Sequence, residues 1–170
     1  MPPAASSGRS YFITRLLREV IFAEQGLAGS NLRWERRRTL MQWGTYTLAL
    51  LLLVDQFPRN LYRHSAHAFA TDEMARSIAD RALALGFDAQ TDASLRAFFY
   101  LPFEHHEDAA SQARAVALFK KLGDKMGLEY AQLHADLIAR FGRFPHRNAV
   151  MGRISSAEEI AYLAQGGFAG

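Results

Sequence analysis

The chain has 170 residues, 49% apolar and 22% charged, with no cysteine and a formal charge of +3. That length suits one globular domain, and the missing thiols exclude disulfides, thiolate catalysis and Cys-based zinc sites while fitting a reducing, cytoplasmic setting. Residues 1–63 carry nine Arg against four acids and residues 64–139 carry seven Lys or Arg against eleven acids; seventeen of the twenty basic residues are Arg, which favours planar anion contacts over diffuse charge.

Residues 1–9 read as a disordered leader without the apolar core of a signal peptide, and residues 10–170 as a single helical domain. Ser10 can cap a helix whose apolar positions Ile13, Leu16, Leu17, Val20 and Ile21 recur at helical spacing before Gly26. Gly29, Ser30 and Asn31 form a turn. Arg33, Arg36, Arg37 and Arg38 then cluster, but they fall short of the continuous basic face with interleaved aromatics that binds nucleic acid, so no nucleic-acid partner is expected. From Leu40 to Phe57 apolar side chains fall on every side of the helix, which predicts a buried central helix. Its unbroken apolar core, Leu48 to Val54, is too short for a membrane span.

Thr71, Asp72 and Glu73 open a helix with the stripe Met74, Ile78, Ala82 and Leu85, closed by Gly86. A short helix from Asp92 through Phe99 is bent or ended by Pro102. Ala109–Leu122 and Leu128–Phe141 are amphipathic and separated by Gly123 and Gly127, and Ser155-Ser156-Ala157-Glu158-Glu159 offers capping boxes for a last helix. No stretch alternates with period two. The expectation is an all-α fold of about seven or eight helices, in antiparallel hairpins whose starts near Asp72 and Ala109 suggest a helical repeat.

Two turns echo one another. Asp55-Gln56-Phe57-Pro58-Arg59-Asn60 and Arg143-Phe144-Pro145-His146-Arg147-Asn148 share Phe-Pro, then Arg, then Asn. Each proline is expected to end its helix, and the two turns are expected to meet. Arg59, Arg63, Arg143, Arg147 and Arg153 could surround an anion, with Asn60 and Asn148 as amide donors, although helix capping explains many of the same residues. Glu104-His105-His106-Glu107-Asp108 lacks the spacing that puts two imidazoles on one zinc ion, so no metal or cofactor is expected. His134 lies on the apolar stripe of its helix and should take Asp55 or Glu104 as partner. His64 and His67 flank a turn and stand in no pattern.

Leu51 to Asn60, Ala68 to Asp72, Leu101 to Asp108, and Arg140 to Asn148 with Gly152-Arg153 together resemble the bacterial DUF924 family, over about residues 40–163. The resemblance implies an all-helical, tetratricopeptide-like right-handed array and no assigned activity. This chain departs from the family pattern in lacking its aromatic-rich opening segment and in placing His106 where a small polar residue is common.

The functional expectation is a binding module for a small anionic molecule or peptide, at a pocket of Asp55, Gln56, Arg59, Asn60, Glu104, His105, Asp108, Arg143, His146, Arg147 and Asn148. A second reading is an enzyme, such as a hydrolase, with His105, His134 or His146 as acid or base and Glu104 or Asp55 orienting it. A third is membrane association through Leu40 to Val54. Apolar surface beside a short N-terminus would favour a homodimer.

Overall fold

A computed structural model describes residues 31–170 of the chain, so the leader and the helix opening at Ser10 lie outside the described residues. The chain divides into two compact units, Met1–Thr39 and Leu40–Gly170. In the first, the described residues are the opening turns of a helix. The described residues contain helices and turns and no strand.

Helix α1 (Leu32–Leu51) runs into a π-helical turn, Leu52–Gln56, and then into α2 (Phe57–Leu61). The helix therefore continues through Pro58 instead of ending there. In the wide turn the Phe57 amide donates to Leu52 O, five residues back, and proline sits at the start of α2, where a missing amide is tolerated. The lost donor leaves a carbonyl to satisfy one turn earlier, and the Thr71 hydroxyl donates to Val54 O at 2.5 Å. Thr71 thus spends its side chain on the π turn rather than capping the helix it precedes.

The expectation of a helix buried on all sides is not met. Gly44, Leu48, Leu51 and Asp55 are buried, whereas Trp43, Tyr46, Leu50, Leu53 and Phe57 are exposed. An unbroken leucine run has no polar residue to mark its outer face. No described helix is long and apolar enough to cross a membrane.

Helices α3 (Asp72–Ala84), α4 (Phe87–Gln90), α5 (Ala97–Glu104), α6 (Ala109–Leu122) and α7 (Lys125–Phe141) pack around one apolar cluster, and α8 (Ala157–Ala164) closes the chain. Small residues let the backbones approach. Ala75, Ala79 and Ala82 are fully buried at helical spacing on α3, and a Cβ added at Gly44 would sit 3.5 Å from Phe87 O. Leu48, Leu51, Phe87, Phe99, Tyr100, Phe103 and Phe119 fill the space between. The α6–α7 hairpin turns at Gly123, whose φ of 78° is left-handed and needs no Cβ. A smaller cluster of Leu137, Ile138 and Phe144 joins α7 to the second Phe-Pro turn. The capping box of α8 is formed by Ser156 and Glu159.

Pro102 does not stop α5, which runs on to Glu104. Its last carbonyls are collected by one buried side chain: Gln112 Nε2 donates to Glu104 O and to His106 O, each at 2.7 Å. These carbonyls carry the Glu104–His105 segment, so α6 fixes where that segment lies. Gln112→Leu keeps the volume and strands them, and should destabilise the protein by about 1–3 kcal/mol, read from the midpoint of a urea unfolding curve at unchanged slope.

Candidate functional site

The π turn carries Asp55 inward. Its carboxylate is 2% exposed and accepts from His105 Nδ1 at 2.9 Å, Gln56 Nε2 at 2.6 Å and Arg59 Nη2 at 3.3 Å. Burial raises its pKa, but the His105 and Arg59 charges and these hydrogen bonds outweigh it and hold the group at about 2. An ionised Asp55 accepts a hydrogen bond from Nδ1–H of His105, so a neutral ring carries its lone pair on Nε2. Nε2 makes no hydrogen bond among the described residues.

The two Phe-Pro turns meet at a residue read from the sequence only as a helix start. Asp72 Oδ1 lies 2.6 Å from Arg59 Nη2, and Oδ2 lies 3.3 Å from Arg147 Nη1. Phe69 completes the join, since the Arg59 and Arg147 guanidinium carbons lie 5.5 and 4.4 Å from its ring centre. The Arg147 guanidinium carbon also lies 4.5 Å from the Phe144 ring centre. Burial, with Arg59 nearby, lowers the Arg147 pKa to about 10, so the group stays charged at neutral pH. Nε of Arg59 and Nε of Arg147 are buried and have no hydrogen-bond partner among the described residues.

Beside this join lies a cavity of about 480 Å³. Of the residues expected to bind ligand, Gln56, Arg59, Asn60, His105, His146 and Arg147 line it. Asp55 and Glu104 stand behind the wall, each against a histidine. The structure gives the remaining three other work. Asp108 caps α6, accepting from the Ala110 and Ser111 amides. Arg143 is turned to α8, with its guanidinium on both oxygens of Glu159 at 2.7 and 2.9 Å. Asn148 is buried and donates to Ser155 Oγ. Arg153, also considered, is paired with Glu107, which in turn accepts from the Phe144 amide and so anchors the second turn.

His134 faces Glu104, as one of the two expected partners, with Nδ1 2.9 Å from Oε1. The pair is in contact but makes no hydrogen bond, and both ring nitrogens are buried without a partner among the described residues. The ring instead packs edge-on against Phe144 and Phe168. His146 packs on the same two rings. Burial, then the Arg147 and His134 charges, push its pKa down to about 4, leaving it neutral.

Sequence reasoning missed Asp72, Phe69, His64 and Phe168. Phe168 reaches the cavity because the Tyr162 hydroxyl accepts from its amide at 2.8 Å, folding residues 168–170 across the opening beside His146.

The sequence matches the family described as "Bacterial protein of unknown function (DUF924)" across residues 18–167. It is also similar to the type VI secretion system component TssM1 of Pseudomonas aeruginosa, with 31% identity over 140 residues. That match takes in 78% of this chain, which spans 12% of the larger protein's length. The solved structure of ATU0120, a protein of unknown function from Agrobacterium tumefaciens, is 42% identical, with 91% of this chain and 85% of that chain covered and a TM-score of 0.70.

The shifted groups predict a two-stage loss of stability in acid. Asp55 is lowered from 3.8 to about 2, so its stabilisation is complete above pH 3.8 and is lost as pH falls toward 2. His146 is lowered from 6.5 to about 4, so its contribution is complete above pH 6.5 and is lost between 6.5 and 4. Melting curves recorded across this range should show that the upper stage shrinks in His146→Phe, which keeps the ring packing and cannot titrate.

Proposed function

The chain belongs to the DUF924 family, and from that membership and the geometry above we propose that it is a soluble, cytoplasmic helical binding protein for a small anion with an apolar body. One observation carries the reading. Among the described residues, the cavity wall contains Arg59, Arg63 and Arg147 and four histidines, and no carboxylate side chain. The acids that position these bases, Asp55, Asp72 and Glu104, stand behind them.

The two unpartnered Nε donors support the same reading, because a buried N–H normally finds an acceptor, and an oxyanion would supply one. Phe69 and Phe168, both partly exposed, offer apolar surface for the rest of the ligand, and the volume falls within the usual range for small-molecule sites. The succession of packed helices, with its α6–α7 hairpin, is consistent with a tetratricopeptide-like array that presents such a hollow.

Phenylacetate and inorganic phosphate are suitable probes, one with an apolar body and one without. Phenylacetate at about 100 times its dissociation constant should add about 2.7 kcal/mol of stability, seen as a raised melting temperature, with phosphate binding more weakly. Arg59→Gln, checked for an unchanged far-ultraviolet circular dichroism spectrum, should weaken phenylacetate binding roughly 10- to 100-fold by calorimetry. A melting temperature unmoved by either anion would refute the reading.

A further inference from the structure

We infer that His105 is a general base, oriented by Asp55, and that the site hydrolyses carboxylic esters that carry a separate anionic group. This deepens the anion-binding proposal and rests on it. The geometry is that of an oriented imidazole: the buried Asp55 carboxylate contacts Nδ1 with both oxygens, at 2.9 and 3.1 Å. The ring lies in the cavity wall, its side chain 15% exposed. Its donor nitrogen is fixed on a buried acid and its acceptor nitrogen is unclaimed among the described residues.

A cation stands beside the base. Asp55 Oδ1, which accepts from His105 Nδ1, also contacts Arg59 Nη2 at 3.3 Å. Imidazole and guanidinium are therefore one carboxylate oxygen apart, and both line the cavity, which makes Arg59 the proposed partner for charge that develops on the substrate. Arg147 is pinned deeper by Asp72, Phe69 and Phe144 and is suited to hold the substrate's second, unreacting anionic group. None of the described residues that line the wall is serine, threonine or cysteine, and the proposed nucleophile is water.

In the step, the water oxygen bonds to the acyl carbon while its proton passes to His105 Nε2. The carbonyl electron pair moves to oxygen, opposite the Arg59 guanidinium. Collapse breaks the acyl C–O bond, and Nε2 returns the proton to the departing alkoxide, giving a carboxylic acid and an alcohol. Asp55 keeps its charge throughout and acts as a positioning residue.

The test uses 4-nitrophenyl hydrogen succinate as substrate and its amide analogue, N-(4-nitrophenyl)succinamic acid, as a binding probe that releases no nitrophenol. The protein should hydrolyse the ester well above the buffer rate and faster than the uncharged 4-nitrophenyl butyrate. His105→Gln should lower kcat by roughly 10²- to 10⁴-fold, the usual contribution of a positioned base, and leave binding of the amide within about twofold of the unsubstituted protein. Asp55→Asn should lower kcat far more than it changes KM. Arg59→Gln should weaken binding of the amide as well. Amide bound without ester turnover overturns the general-base assignment alone, as does turnover undiminished in His105→Gln. Amide not bound and ester not turned over overturns the anion-pocket reading with it.

Discussion

The carboxylate of Asp72 is the fixed point of the candidate site. It contacts Arg59 from the first Phe-Pro turn and Arg147 from the second, two residues far apart in the chain. Partly buried guanidiniums without a counter-charge would repel one another and the burial would be unfavourable; removing one member of a buried pair typically costs about 3–5 kcal/mol. The helix that begins at Asp72 thus does more than follow α1. It brings together two motifs that no local interaction could join, and Thr71 beside it ties the same helix start to Val54.

From that join the arrangement of the wall follows. Asp55 is held by the π turn and orients His105. Glu107, three residues beyond Glu104, holds the Phe144 amide and Arg153. Gln112 fixes the backbone between them. Three acids of one short segment and its neighbours therefore serve different masters, and the cavity keeps its basic wall because each acid is engaged behind it or elsewhere. A turn that looked like a single acidic patch is divided by the fold into a support for His134, an anchor for the second Phe-Pro turn and a helix cap at Asp108.

The helical class was legible because apolar spacing and glycine stops are local signals: Gly86, Gly123 and Gly142 stand where the helices end, all at positive φ. The meeting of the two echoed turns was legible from their repetition. Their mediator was not, since Asp72 looks like any acid in a first helical turn and its partners are distant. Arg143 and Asn148 lie away from the cavity wall for a related reason. Both belong to the echoed motif, but the turn after α7 points them at α8, which the motif alone does not encode. The π turn left no trace either, because its cause is a hydrogen-bond register rather than a composition. The open side of α1 was hidden by leucines that look alike whichever way they face.

Arg147 carries a consequence for how a cation can be kept out of water. Its guanidinium carbon lies 4.4 Å from the Phe69 ring centre and 4.5 Å from that of Phe144, while Nη1 contacts Asp72. Two ring quadrupoles and one carboxylate share the stabilisation of a charge that is almost wholly buried, so the fold holds it with fewer hydrogen bonds than a guanidinium can make.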